Sequence, residues 1–341
     1  MDGPLTAVSY SIRAFLILFV VAISAMSVQA QERVLSFGLV PTESHRTLKE
    51  IWQPFLDDMS ETIQVPIKCK TYDDYAGVIW AMGAGNVQIA WMGNKSAIEA
   101  VDRAGGEIAF KTVDTDGAEG YWAHLITGAN SGFAGERDVF VRAGEITFGN
   151  GDPNSTSGYV VPGYYLFARN GVEPRAIFKR VTQANHQENL FAVAEGRVDV
   201  ATSNNIALKR FKALYPAKFH SIRVIWTSPL IPSDPIVWRK SLPHELKARI
   251  SAFILDYGRA SPGKSTARLD HERSVLSDMT YSGFVGSSDL QLIPVRRLEL
   301  FQLRCRIEAD PSLDTQQRAL KVKELDDEIQ LISSEQKDES R

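Results

Sequence analysis

Residues 147–158 read Thr-Phe-Gly-Asn-Gly-Asp-Pro-Asn-Ser-Thr-Ser-Gly. A short apolar strand closes at Gly149 and a turn rich in Gly, Asn, Asp and Pro follows. Asn154-Ser155-Thr156-Ser157 then leads into a helix-compatible run beginning Tyr159-Val160-Val161. This is a strand–turn–helix unit, the repeating element of α/β layers. The first turn of a helix leaves backbone N–H groups unpaired and carries partial positive charge, and three consecutive hydroxyls add rotatable donors. An anion with several oxygens, such as phosphate, phosphonate or sulfate, suits such a place. A capped helix facing water is the plainer reading of the same residues, and both stay open on this stretch alone.

Working outward, strand and helix signals alternate on both sides. Val34 to Val40, Ile67 to Lys70 and Gln88 to Trp91 read as strands, as do Glu107 to Thr112 and Ala123 to Thr127. Beyond the central turn come Phe178 to Thr182, Val198 to Thr202 and Ile222 to Trp226. Leu48, Ile51, Trp52, Phe55, Leu56 and Met59 mark one face of a helix with Ser44 as its cap. Pro54 inside that face predicts a kink or a later start. Helices are also predicted after Tyr75 and over Ser96 to Ala104. The alternation predicts parallel sheets covered by helices on both faces.

The chain has 341 residues, 38 basic and 41 acidic side chains and a formal charge of −3, with no basic excess to condense on nucleic acid. Arg13 precedes an uncharged run, Ala14 to Ala30, that closes on Val28-Gln29-Ala30. That layout predicts an export signal over 1–30, cleaved after Ala30, and hence a periplasmic protein; an uncleaved anchor is the alternative. Cys69 and Cys305 are too few and too far apart for a disulfide scaffold or a metal knuckle, and no cofactor or metal is expected. Gly258-Arg259-Ala260-Ser261-Pro262-Gly263-Lys264-Ser265 fits the P-loop pattern. The apolar spacing before it is helical rather than strand-like, so Gly258 reads as a helix terminator. From about Arg306 the chain becomes highly charged. Val322, Leu325, Ile329 and Ile332 form one narrow apolar stripe, predicting a terminal helix packed on its own lobe or joining two copies as a homodimer.

Gly149 to Gly158, with Val161-Pro162-Gly163-Tyr164-Tyr165, resembles the PhnD-type phosphonate-binding periplasmic proteins of ABC transporters. Further blocks occur in the same order: Thr42-Glu43-Ser44, Asp74-Tyr75-Ala76-Gly77, Ile89-Ala90-Trp91, Gly120-Tyr121-Trp122, Val198 to Thr202, Ser228 to Pro232 and Asp234 to Arg239. The resemblance spans roughly Leu35 to Phe301. It implies a two-lobed α/β fold that hinges shut on its ligand. The lobes would be 31–126 with a return over 228–305, and 127–227, followed by a helical tail at 306–341. The implied partners are a small phosphonate and an inner-membrane ABC permease.

Carried onto matching positions, the resemblance implies that Ser155, Thr156 and Ser157 clasp the phosphonate oxygens. Tyr75 and Tyr121 would close over them from the other lobe. His186 would add a ring N–H and could charge beside an anion. Asp234 would face the organic substituent. Relatives that hold aminoalkylphosphonates place a second acid where this chain has Ile206, and often a Tyr where it has Met92. Losing one carboxylate predicts aminoethyl binding weaker by about tenfold to a hundredfold. Two other functions use the same residues. One is an exported hydrolase with Ser155 as nucleophile, His186 as base and Asp234 as orienter. No G-x-S-x-G surrounds Ser155 and no H-E-x-x-H occurs, which speaks against it. The other is a ligand-presenting sensor subunit.

Overall fold

The computed structural model describes residues 34–339, so the expected export signal lies outside the described residues. Among the described residues, thirteen strands fall into two principal sheets and one short ribbon. The first sheet contains β1 (Leu35–Leu39), β2 (Ile67–Thr71), β3 (Ile89–Trp91), β4 (Gly106–Asp114), β12 (Pro235–Arg239) and β13 (Tyr281–Gly286), in the order β13-β4-β12-β3-β1-β2. The second contains β6 (Ala123–Gly128), β7 (Thr147–Asn150), β8 (Arg180–Gln183), β9 (Val200–Asn204) and β10 (Ile222–Thr227), in the order β10-β6-β9-β7-β8. Between them β5 (Gly120–Tyr121) pairs with β11 (Ile231–Pro232), where the chain leaves the first sheet and comes back.

Both sheets are mixed, which corrects the expectation of parallel sheets. β1 pairs in parallel with β2 and β3, and β7 with β8 and β9. β12 is antiparallel to β3 and β4, β13 to β4, and β6 to β9 and β10. The reason is the double crossing. The outgoing β4–β5 and the returning β11–β12 run side by side in opposite directions, so the returning strands enter against the grain.

The core of the first sheet is aromatic. Trp52 packs against Phe37, Phe55 and Trp91 with ring centroids 5.4–6.0 Å apart, and Phe55 against Phe253, Tyr257 and Phe284. The helix His45–Ile63 carries this face and continues past Pro54, with Ser44 accepting from the Thr47 N–H as its cap. Pro54 therefore marks neither end of the helix. A mid-helix proline costs about 3 kcal/mol. Burial of Leu48, Trp52, Phe55, Leu56 and Met59 at roughly 1.5–3 kcal/mol each exceeds that severalfold. The second sheet buries Phe148, Phe167 and Phe178 on one face and Ile126, Leu190, Val193 and Phe211 on the other.

Gly258 has φ +76° directly after the helix His244–Asp256, and Lys264 is engaged by Asp256 and Glu272, so the P-loop-like string is a helix ending. The helix Ile293–Ala309 runs across Arg306, and the helix Thr315–Glu339 packs back on it. Arg304 Nε lies 2.8 Å from Asp326, and Leu325 and Ile329 of the apolar stripe are buried.

Candidate functional site

The turn after β7 is drawn tight by backbone contacts. Gly151 N–H donates to the Gly158 carbonyl at 3.0 Å, and a Cβ at Gly151 would stand 2.6 Å from the Gly158 backbone, so only glycine fits. The Asp152 carboxylate accepts from the Asn154 N–H at 2.7 Å, and Ser155 caps the following helix by accepting from the Gly158 N–H at 3.1 Å. That helix opens as a wide π turn over Thr156–Val160, one residue group earlier than the apolar run beginning at Tyr159 suggested. Its first turn points toward the other sheet, where Lys95 N–H donates to Thr156 Oγ1 at 2.8 Å. Gly93 caps the helix Asn94–Arg103 there, and a Cβ on it would lie 3.1 Å from Thr156 Oγ1. Two helix starts thus meet nearly head to head, which concentrates donors and partial positive charge.

All seven residues singled out from sequence converge here. Tyr75 is the first residue of the helix Tyr75–Gly83, capped by Asp74, and its buried side chain lies close to Ser155. Tyr121, on β5 at the crossing, is buried close to Ser157 and Asp234. His186 is the first residue of the helix His186–Ala194, and its Nε2 lies 3.2 Å from Ser157 Oγ. Asp234 precedes β12, its carbonyl accepting from Thr112 N–H at 3.1 Å, and its Oδ1 is buried without a partner. The common reason is position: each side chain sits at a helix start or a strand end on the seam between the sheets.

His186 is buried and desolvation lowers its pKa to about 4, with Glu43 opposing, so the ring is neutral in these surroundings; the charge expected of it is conditional on an anion beside it. The hydrolase constellation is not assembled. His186 pairs with Ser157 and not Ser155, and its Nδ1 has no partner, so Asp234 does not orient it. Among the described residues no group of His, Cys, Asp and Glu could hold a metal.

Sequence reasoning missed several members. Asn204 Nδ2 donates to Ser157 Oγ at 3.0 Å. Arg210, on the helix Asn205–Leu214, donates to Glu43 at 2.9 Å across the seam, both side chains being 5% exposed. Gln187 accepts from Ser44 N–H at 2.7 Å and donates its own N–H to the Thr42 carbonyl at 3.2 Å. Glu43 was visible in the Thr42-Glu43-Ser44 block, but nothing local links it to a residue 167 positions away.

Burial drives His186 down to about 4 and Asp234 up to about 7, the latter against a Tyr121 hydrogen bond and the Arg210 charge. Between about pH 4 and 6.5 the folded state therefore has neutral histidine and protonated aspartic acid, and the unfolded state the reverse. Each group alone moves stability by about 1.4 kcal/mol per pH unit, in opposite directions. His186 favours folding at high pH and loses that contribution as pH falls from 6.5 toward 4, whereas Asp234 costs stability as pH rises toward 7. Asp234→Asn is thus expected to lose stability on acidification more steeply than the parent, and His186→Gln less steeply. Urea midpoints from pH 4 to 7 check this, and parallel curves for all three proteins would refute the opposed titrations.

Two α/β sheets joined by a double crossing, with a buried polar seam of facing helix starts, define a two-lobed periplasmic binding protein. A family model for the ABC transporter, phosphonate, periplasmic substrate-binding protein matches residues 37–292, and the chain belongs to that family. It is 43% identical over 303 residues to the phosphonates-binding periplasmic protein of Escherichia coli K12, covering 89% of this chain and 87% of that protein. The crystal structure of a binding-protein component of an ABC phosphonate transporter from Pseudomonas aeruginosa superposes with a TM-score of 0.86 at 43% identity, over 91% of this chain and 100% of that one. The fold also matches PhnD1 of Prochlorococcus marinus, solved with methylphosphonate, with a TM-score of 0.68 at 17% identity over 79% of this chain and 97% of that one.

Proposed function

We propose that this chain captures a phosphonate between its lobes in the periplasm and hands it to an ABC permease, without chemical turnover. The observation that carries the reading is the convergence of Ser155, Thr156 and Ser157 at a helix start with Tyr75 and Tyr121 from the facing lobe. These hydroxyls are buried together on the seam, and a tetrahedral oxyanion would take up their protons. Five or six such bonds at about 2 kcal/mol each supply about 10–12 kcal/mol before ordering costs, enough for micromolar to nanomolar affinity.

Neutral donors divided between lobes make closure depend on the ligand, because only the closed form uses both sets. The hinge would lie at the two crossings beside the β5–β11 ribbon, between Tyr121 and β6 and between β10 and Ile231, a few residues before the 126–127 boundary expected from sequence. Asp234 would face the substituent. The pairing of His186 with a hydroxyl that also accepts from Asn204 favours binding over catalysis, since that serine has no oriented base. The inward-facing Leu325 and Ile329 favour a tail packed on its own protomer over a dimer contact. Calorimetric titration with phosphate, phosphite, methylphosphonate and 2-aminoethylphosphonate tests the reading. Stoichiometric micromolar or tighter binding of a phosphonate is expected, with no turnover of a chromogenic phosphonate ester. Absence of heat with all four, or sustained turnover, would sink it.

A further inference from the structure

Beside Asp234 lies a narrow cavity with a free volume of about 10 Å3, room for the centre of one water-sized group. Its walls include Tyr121, Ile206, Asp234, Tyr281 and Asp114. Two carboxylate oxygens in this lining are buried with no hydrogen-bond partner, Asp234 Oδ1 and Asp114 Oδ2. Asp114 closes β4 on the same face as Thr112, whose N–H holds the Asp234 carbonyl, and stands opposite Tyr281 on β13. Strand register therefore fixes both acids at one end of the sheet.

Burying an unpaired carboxylate oxygen is costly, and two in one cavity need an explanation. Asp114 Oδ1 is engaged by Lys209 Nζ at 2.6 Å and by the Thr115 hydroxyl at 2.9 Å. Lys209 is 41% exposed and screened by water, whereas Asp114 is 3% exposed. The pair engages one oxygen of Asp114, and the second stays buried without a partner in a residue that lines the cavity. The sheet thus supplies an acid from β4 where Ile206, on the opposite wall, supplies none.

Resting on the phosphonate reading above, we propose that Asp114 is the second carboxylate of the substituent pocket. With Asp234 it selects phosphonates carrying a primary ammonium on a short chain. An ammonium fits a water-sized cavity and offers three donors to the two free oxygens. Asp234, held near 7 by burial, is in the condition of an acid lacking a counter-charge, which an ammonium restores. This reverses the expectation, drawn from Ile206, that aminoethyl binding is weakened.

The test is the ratio of 2-aminoethylphosphonate to methylphosphonate affinity, measured by calorimetry on the full mature chain. The parent protein is expected to favour the amino compound by tenfold or more, and Asp114→Asn to lower that ratio about tenfold. Ile206→Glu added to Asp114→Asn returns a carboxylate to the same cavity and is expected to restore it. Lys209→Met is the control for a purely structural role. If Asp114 serves only to pair Lys209 across the lobes, Asp114→Asn and Lys209→Met depress both ligands alike and the ratio stays put, which overturns the proposal. A parent ratio near one with methylphosphonate bound overturns it alone. Failure of the parent to bind either compound removes the phosphonate reading itself, and this proposal with it.

Discussion

Arg210→Met is expected to weaken phosphonate capture by about a hundredfold to a few thousandfold while leaving each lobe folded. Arg210 donates one guanidinium nitrogen to Glu43 and another to the Met279 carbonyl, both at 2.9 Å, and sits between the Trp91 and Tyr281 rings. Glu43 uses its other oxygen to accept from the Thr42 hydroxyl. Removing one partner from a buried pair costs about 3–5 kcal/mol, chiefly because the remaining charge stays desolvated. Here that penalty applies only to the closed form. When the lobes part, Glu43 and Arg210 are each rehydrated, so the loss appears in ligand affinity rather than in unfolding. At about 1.4 kcal/mol per decade the range is two to three and a half decades. Glu43→Gln/Arg210→Met removes both charges and is expected to recover most of the affinity. Calorimetric dissociation constants, with small-angle scattering to read closure, settle the point. A single-variant change below about threefold would mean the pair plays no part in closing.

This pair also marks where the sequence stops being readable. Strands and helices follow from local apolar spacing, and one helix start from Ser44, whose side chain does cap it; Asp74 and Asn185 also cap helices, caps that sequence reasoning missed. Of the seven site residues, Ser155, Thr156 and Ser157 are marked by a local helix-start signal, whereas Tyr75, Tyr121, His186 and Asp234 are legible only through the family resemblance. Strand direction is not local. β12 and β13 have the same apolar composition whether they run with or against β4, and only the return through β11 fixes it. Nor can spacing pair Glu43 with Arg210 or place Asp114 beside Asp234. In the string Asp114-Thr115-Asp116-Gly117 an acid reads as a solvated turn residue, and the adjacent turn residues are indeed exposed. Asp114 is buried because β13 and the helix Asn205–Leu214 cover it, and both come from distant parts of the chain.

Ser157→Ala carries the second large effect, and it separates two roles that a simple affinity loss would merge. Ser157 Oγ accepts from Asn204 Nδ2 at 3.0 Å, lies 3.2 Å from His186 Nε2 and is close to Tyr121. With the ring proton on Nε2, His186 and Asn204 both donate into Ser157, and the serine proton would turn outward to an oxyanion. On the proposed reading, deleting the hydroxyl removes one charge-assisted bond to the ligand, about 1.5–3 kcal/mol, or tenfold to a hundredfold in affinity. It also leaves the buried Asn204 amide without that acceptor, at about 1–3 kcal/mol of folding stability even without ligand. Thr156→Val differs: Thr156 Oγ1 accepts from Lys95 N–H across the seam, so its loss penalises closure and binding while sparing the second lobe's own network. The expected pattern is therefore a lower urea midpoint and weaker methylphosphonate binding for Ser157→Ala, against weaker binding with a nearly unchanged midpoint for Thr156→Val. A Ser157→Ala protein with the lowered midpoint but intact affinity would make the hydroxyl a structural brace alone, and the oxyanion would have to be held elsewhere on the seam.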